Sequence, residues 1–251
     1  MSKLEHLRAG FQAAFIERDL DAVDEYWAEE YIQHSTLAPD GREGLKQALR
    51  QMPEGFSYTP VRALEDGDFV ALHGIYEGFG PVPLVAFDLM RVVDGKNAEH
   101  WDALTPVVES TASGRTQTDG PTDPEDLGRT EENKERVREF LERVLVGGDH
   151  RALADYISPE QYDQHNPEVQ DGIEGLRRAM AAMAAAGREL VYRKVHRIVG
   201  QGNFVLAVSE GELGGPVAFW DLWRLKDGRL VEHWDVVQPI PEELPHGNGV
   251  F

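Results

Sequence analysis

Apolar residues recur at helical spacing in two places, Leu4, Leu7, Phe11 and Phe15 near the start and Val137, Phe140, Leu141, Val144 and Leu145 past the midpoint. Each set predicts an amphipathic helix that buries one face. A second short helix is expected over 21–29 and again over 151–157. A third starts at DGREGL and at DGIEGL, where Asp40 and Asp171 are placed to cap the backbone and Glu43 and Glu174, three residues on, can complete a capping box. After that the apolar period shortens to two, and four strand-like runs follow in each half: about 56–65, 68–77, 84–93 and 97–106, then 190–199, 203–213, 217–226 and 229–238. Three helices and then a meander of strands predict an α+β unit, with helices covering one face of a mainly antiparallel sheet of four or more strands.

The unit is present twice. YIQHSTLAPDGREGLKQAL from Tyr31 aligns with YDQHNPEVQDGIEGLRRAM from Tyr162, GDFVAL from Gly67 with GNFVLA from Gly202, and DLMRVVDGKNAEHWD at 88–102 with DLWRLKDGRLVEHWD at 221–235. A period of about 110 residues is too long for a solenoid and matches a duplicated domain. The expected domains are 1–108 and 134–245. Between them, 109–133 is rich in Gly, Pro, Thr and Asp and predicts a linker, which Pro121 and Pro124 bias toward an extended path.

The carboxylates and histidines gather at one hairpin. The Asp227-Gly228 pair suits a three-residue loop over 226–228, setting Leu225 opposite Arg229 and Asp221 opposite His233; Asp94-Gly95 repeats the device. Strand alternation then puts Phe219, Asp221, Trp223, Val231, His233, Asp235 and Val237 on one face and Trp220, Leu222, Trp234 and Val236 on the other. A two-residue turn would change the pairing and split that set. On the shared face, two carboxylates against aromatic walls are pushed toward protonation, and a histidine beside them can share the proton, which is general acid and base chemistry. The first copy offers Asp88, His100 and Asp102, with Met90 in place of Trp223. His34 and His165 are candidates for the far wall of the same cavity, with backbone capping as the structural alternative. One nitrogen and two oxygens could also suit a divalent ion, but no HExxH, paired-histidine or calcium-loop spacing accompanies them, so no metal is expected. The outer face, apolar at Trp220, Leu222, Trp234 and Val236, is expected to meet a partner, most simply the other copy in an intramolecular pseudo-dimer, with a homodimer as a further option.

Composition narrows the classes. The 251 residues include five Trp and ten Phe, enough for a sizeable core, and no Cys, which removes disulfides, thiolate zinc sites and a cysteine nucleophile. The 25 basic and 45 acidic residues leave a net charge of −20, which disfavours nucleic acid and anionic membrane surfaces as partners. The opening MSKLEHLRAGF lacks the unbroken apolar core of a secretion signal and no run is long enough to span a bilayer, so a cytoplasmic setting is expected. Phosphate loops, dinucleotide-binding glycines and a GxSxG elbow are absent from the sequence.

The text FWDLWRLKDGRLVEHWDVVQPIP, with the QHN segment and the DG-x-x-GL helix start, resembles the SnoaL-like branch of the nuclear-transport-factor-2-like superfamily, in tandem and over nearly the whole chain apart from the linker. The resemblance implies two cone-shaped domains with apolar pockets, of bacterial type. It also implies an activity like that of SnoaL-type polyketide cyclases, which perform an intramolecular aldol condensation without metal or cofactor, using an aspartate on the last strand as acid and base. That role falls on Asp235 and Asp102, and the neighbouring-strand position on Asp221 and Asp88. The expected function is a cofactor-independent lyase or isomerase acting on a small or medium apolar carbonyl compound. His233 and His100 would tune the aspartates, and Phe219, Trp223, Met90, His165 and His34 would contact substrate. The alternatives are a non-catalytic binder of hydrophobic ligands or scaffold, and an epoxide-hydrolase-like enzyme. The second copy stays closer to the family text and is the expected reactive one.

Overall fold

The computed structural model describes residues 1–251, which pack as two units, Met1–Pro106 joined by Pro241–Phe251, and Val107–Ile240. In unit 1, helix α1 (Lys3–Phe11) begins at a complete capping box, with the Glu5 amide donating to Ser2 Oγ at 3.1 Å and the Ser2 amide to Glu5 Oε2 at 2.8 Å. A π-helical turn over Gln12–Ile16 follows, and the Phe11 and Phe15 rings stack at 4.6 Å. Helix α2 (Asp21–Tyr26) is shorter than the apolar spacing suggests, because the chain straightens at Trp27 into β1 (Trp27–Gln33). Helix α3 (Gly41–Arg50) leads to β2 (Ser57–Asp66), β3 (Phe69–Glu77), β4 (Leu84–Val93) and β5 (Lys96–Pro106).

Unit 2 repeats the plan with α4 (Thr130–Phe140), a π-helical turn over Leu141–Val146, α5 (Leu153–Tyr156), β6 (Asp163–Gln164), α6 (Gly172–Ala185), β7 (Val191–Gln201), β8 (Phe204–Glu212), β9 (Pro216–Lys226) and β10 (Arg229–Pro239). The sheets are ordered β1-β5-β4-β3-β2 and β6-β10-β9-β8-β7. All neighbours are antiparallel except β1 with β5 and β6 with β10. This is the expected α+β fold in tandem, with a fifth strand in each sheet. That strand hides in the sequence because only Trp27, Tyr31 and Gln33 of the seven β1 residues are buried, which leaves no apolar alternation to see.

The aspartates before α3 and α6 do not cap those helices. Asp40 Oδ1 accepts the Gln33 amide and Asp171 Oδ1 the Gln164 amide, each at 2.9 Å. Their side chains turn back to the strand because it needs an acceptor there, and this ties each helix start to the strand that serves the site.

The segment expected as a linker lies along unit 2: the Ala112 amide donates to Pro167 O and the Asn203 amide to Glu125 O, and Arg115 pairs with Asp163 and Asp171. Its last residues, Thr130–Asn133, are the first turn of α4. Residues 241–245, expected in the second domain, belong with unit 1. No helix is long and apolar enough to cross a membrane.

Candidate active site

Two departures from ideal hairpin geometry cancel. The loops close in two residues, not three: Asp94, Gly95, Asp227 and Gly228 have φ of 49°, 69°, 51° and 72°, and the turns pair Val93 with Lys96 and Lys226 with Arg229. Continued unbroken, that register would send the two aspartates of each hairpin to opposite faces. One extra residue in the last strand, Ala98 in β5 and Val231 in β10, then shifts the pairing by a step. The result sets Asp88 opposite Asp102, Asp221 opposite Asp235, Met90 opposite His100, and Trp223 opposite His233. The clustered face expected from the sequence thus exists with a different pairing, Asp221 meeting Asp235 instead of His233.

In unit 1 the cluster is wired through Gln33. Gln33 Oε1 accepts the His34 and Ser35 amides, each at 3.0 Å, which fixes the orientation of its side-chain amide. His100 Nδ1, 2.9 Å from the same oxygen, must therefore donate, and Nε2 is left to face Asp88 Oδ1 at 3.3 Å. Tyr76 donates its hydroxyl to that oxygen at 3.0 Å. Burial works against a charged His100, but the hydrogen bond to Asp88 and the charges of Asp102 and Asp88 outweigh it and hold the imidazole above its ordinary value. Asp102 is pushed up to about 6, chiefly by burial; His100 pulls it down, and the charge of Asp88 adds to the rise. Burial likewise raises the Tyr58 and Tyr76 hydroxyls well above the usual tyrosine range, with the charge of Asp88 behind it.

Unit 2 has the same wiring, drawn tighter. His233 bonds Gln164 Oε1 through Nδ1 and Asp221 Oδ1 through Nε2, both at 3.0 Å, and its imidazole is raised in the same way. Tyr192 reaches both Asp221 oxygens at 3.2 and 3.0 Å, and Asn166 Nδ2 donates to Asp235 Oδ2 at 2.6 Å. Asp235 is also pushed up to about 6, again chiefly by burial.

The cavities distinguish the two units. The cavity of unit 1 measures about 580 Å³ and is lined by Phe11, Phe15, Tyr31, Tyr58, Met90 and other apolar groups, together with Asp88, His100 and Asp102. That of unit 2 is about 60 Å³. Trp223, 1% exposed and edge-on to Phe140 at 5.7 Å, fills space that Met90 leaves open. Asp88 Oδ2 and Asp102 Oδ1 are buried without a hydrogen-bond partner, whereas no carboxylate oxygen of the unit 2 cluster is in that condition. The open cone with uncommitted carboxylate oxygens is the first copy, whereas the sequence reading favoured the second as the reactive one.

Of the residues expected to contact substrate, Met90 lines the first cavity, and Trp223 and Phe219 line the second. His34 and His165 line neither. They lie on the other side of the strand, stacked on Trp101 and Trp234 at 4.8 and 4.6 Å and bonded to Glu99 and Glu232. The error is one of parity, since in YIQHS and YDQHN the residues facing the cavity are Tyr31, Gln33 and Ser35, and Tyr162, Gln164 and Asn166. The repeated Y-x-Q spacing was the available signal for these missed residues. Trp234, expected on a partner-binding face, donates its indole N–H to Asp119 O of the 107–126 segment.

Each cluster also offers three ligand atoms within 4.8 Å of one another, the composition of a divalent-cation site. With Nδ1 committed to Gln33, the His100 atom available to an ion is Nε2, the one turned toward Asp88, so an ion and the proton-sharing pair are mutually exclusive occupants.

The SnoaL-like domain family matches residues 7–100 and 137–233. The chain is a tandem SnoaL-like protein. Solved structures similar to it include TsrD from Streptomyces laurentii, 24% identical over 41% of this chain and 87% of that one, with a TM-score of 0.36. IdmH, a proposed polyketide cyclase from Streptomyces antibioticus, is 22% identical over 41% and 92%, with a TM-score of 0.35. An NTF2-like protein of unknown function from Cytophaga hutchinsonii is 17% identical over 42% and 92%, with a TM-score of 0.37. No curated protein matches the SnoaL-like chain in sequence.

Proposed function

We propose that unit 1 of this SnoaL-like protein is a cofactor-independent acid/base catalyst, a lyase or isomerase that takes a small or medium apolar carbonyl compound. Asp102 removes a proton from the carbon next to the carbonyl, and the C–H electron pair moves into the carbonyl to give an enolate. The proton held between His100 and Asp88 is available for return at carbon or oxygen. Asp102 combines a carboxyl poised near neutrality with an uncommitted oxygen, and both belong to the wall of a large apolar cavity. That conjunction carries the reading. Unit 2, with Trp223 in its cone and its carboxylates hydrogen bonded, is the non-catalytic copy.

The test works without an identified substrate. A panel of apolar ketones and aldehydes is incubated in D2O with the protein, and loss of the α-proton signals is followed by NMR. Wild type and Asp235→Asn are expected to exchange the protons, and Asp102→Asn to be inert. Exchange that survives Asp102→Asn and vanishes in Asp235→Asn would move the activity to unit 2. Binding without exchange across the panel would support the ligand-binding alternative.

A further inference from the structure

The segment Pro241–Phe251 packs with unit 1, although it follows the last strand of unit 2. Asn248 Nδ2 donates to Gln33 O at 3.0 Å, His246 Nε2 to Ser35 O at 2.8 Å, and His34 Nδ1 to Gly249 O at 2.9 Å. Three consecutive residues at the end of β1, Gln33, His34 and Ser35, are thereby held from one side by the tail. From the same three residues the wiring of the site departs: Gln33 Oε1 receives His100 Nδ1, and Ser35 lines the same cavity as Asp102 and works against the rise of its carboxyl.

The arrangement recurs in unit 2 with unrelated residues. There the segment after β5 supplies Ser113 Oγ to Gln164 O at 2.6 Å and Thr116 O to His165 Nδ1 at 2.7 Å. The glutamine carbonyl and the Nδ1 of the following histidine are the bonded atoms in both units, and each is met by the stretch that follows the other unit's last strand. Two dissimilar sequences, STASGRT and PHGNGV, converge on the same two atoms. A chance surface contact would not recur in this way.

We infer that His246 and Asn248 are positioning residues of the unit 1 site: they hold the Gln33–Ser35 backbone so that Gln33 and Ser35 present their side chains to His100 and Asp102. The site in the first half of the sequence is then completed by the last residues of the second half. The effect on turnover rests on the acid/base reading above, but the positioning itself does not.

The experiment uses full-length variants: Asn248→Ala, the pair His246→Leu with Asn248→Ala, and His246→Gln, whose amide can still donate to Ser35 O. The first readout is the pH titration of the His100 ring by NMR, and the second is kcat and KM for α-proton exchange. The double variant is expected to shift the His100 midpoint downward and to lower kcat by roughly tenfold to a hundredfold, with KM changed less. Asn248→Ala should move both readouts in the same sense by a smaller amount, so the inference stays testable if the double variant does not fold. His246→Gln should match wild type. An unchanged His100 titration in Asn248→Ala or in a folded double variant overturns the inference, as does His246→Gln shifting the titration as far as the double variant does. Should wild type exchange no proton on any carbonyl compound, the acid/base reading fails while the His100 titration still decides this one.

Discussion

Asp88 and Asp102 stand directly opposite each other on β4 and β5, brought into register by the single extra residue Ala98. Asp88 is committed through Oδ1 to the His100 ring and the Tyr76 hydroxyl, whereas Asp102 is lifted to about 6, chiefly by burial; each has one buried oxygen unpartnered. Two carboxyls on one patch of wall are thus held in different environments, the condition that the proposed division of acid and base roles requires.

A bell-shaped pH dependence of kcat/KM follows. Activity should rise as pH passes about 6 and Asp102 ionises, and fall at a pH above the ordinary histidine value as His100 loses its proton. Asp102→Asn should cost on the order of 10² to 10⁴ in rate, the usual worth of a general base. Its effect on stability has the opposite sign. The folded-state value of Asp102 lies above its unfolded value, so ionising it in the fold is unfavourable: the cost is absent below about pH 4, grows between about 4 and 6, and is constant above. Urea unfolding at pH 8 should therefore find Asp102→Asn more stable than wild type by on the order of 3 kcal/mol, with the difference vanishing near pH 4. A loss of stability at pH 8 would contradict the buried, strained carboxylate.

The two cones should be interchangeable at one position. Met90→Trp places an indole where unit 2 already has one, and should abolish binding of an apolar dye to unit 1 while the protein remains folded. Trp223→Met removes a ring packed against Phe140 and His233 and should cost about 2 to 4 kcal/mol, the range for large-to-small core changes. It should also add a second dye site, counted by fluorescence titration. Unchanged stoichiometry in both variants would show that residues other than Met90 and Trp223 set the difference in volume.

The first helix of each unit and the eight long strands were legible because each rests on a local period, 3.6 or 2, and the duplication because the text itself recurs. The one-face carboxylate cluster was legible for a less secure reason: a wrong turn length and an unseen bulge shift the register in ways that preserve parity, so Asp221, His233 and Asp235 still emerge together. His34 and His165 fell on the wrong face because β1 and β6 carry no apolar alternation from which to count. Which cone is open also lay beyond the sequence, since similarity to a family pattern does not measure volume. The Trp223 indole stands where the first copy has Met90, and only packing shows where it goes.

Asp40 should behave as a strand anchor and not as a helix cap. Its Oδ1 accepts the Gln33 amide, and no side-chain bond to the α3 backbone is made. Asp40→Ala is expected to cost about 1 kcal/mol, the worth of one such hydrogen bond. Asp40→Asn keeps the acceptor at the same reach and should restore most of it. Asp40→Ser, a good capping residue with a shorter side chain, should not. Thermal melts of the three variants separate the roles, and full rescue by Asp40→Ser would reinstate the capping account.

Gln33 should control the protonation of His100, and two substitutions should move it in opposite directions. Gln33→Leu leaves the Ser35 amide and His100 Nδ1 without their shared acceptor, while the His34 amide keeps its bond to His100 O. Each buried donor so stranded costs about 1 to 3 kcal/mol, less whatever local rearrangement recovers. The Nδ1–H form of the ring loses its stabilising oxygen, so the His100 midpoint should fall and the alkaline limb of the rate profile should move to lower pH. Gln33→Glu keeps an acceptor oxygen, gives up the donor to Tyr31 and adds a second carboxylate beside the imidazole, so the midpoint and the limb should rise. NMR titration of the ring reads both directly. Midpoints that shift the same way in the two variants would mean that the glutamine fills space beside the histidine without setting which nitrogen holds the proton.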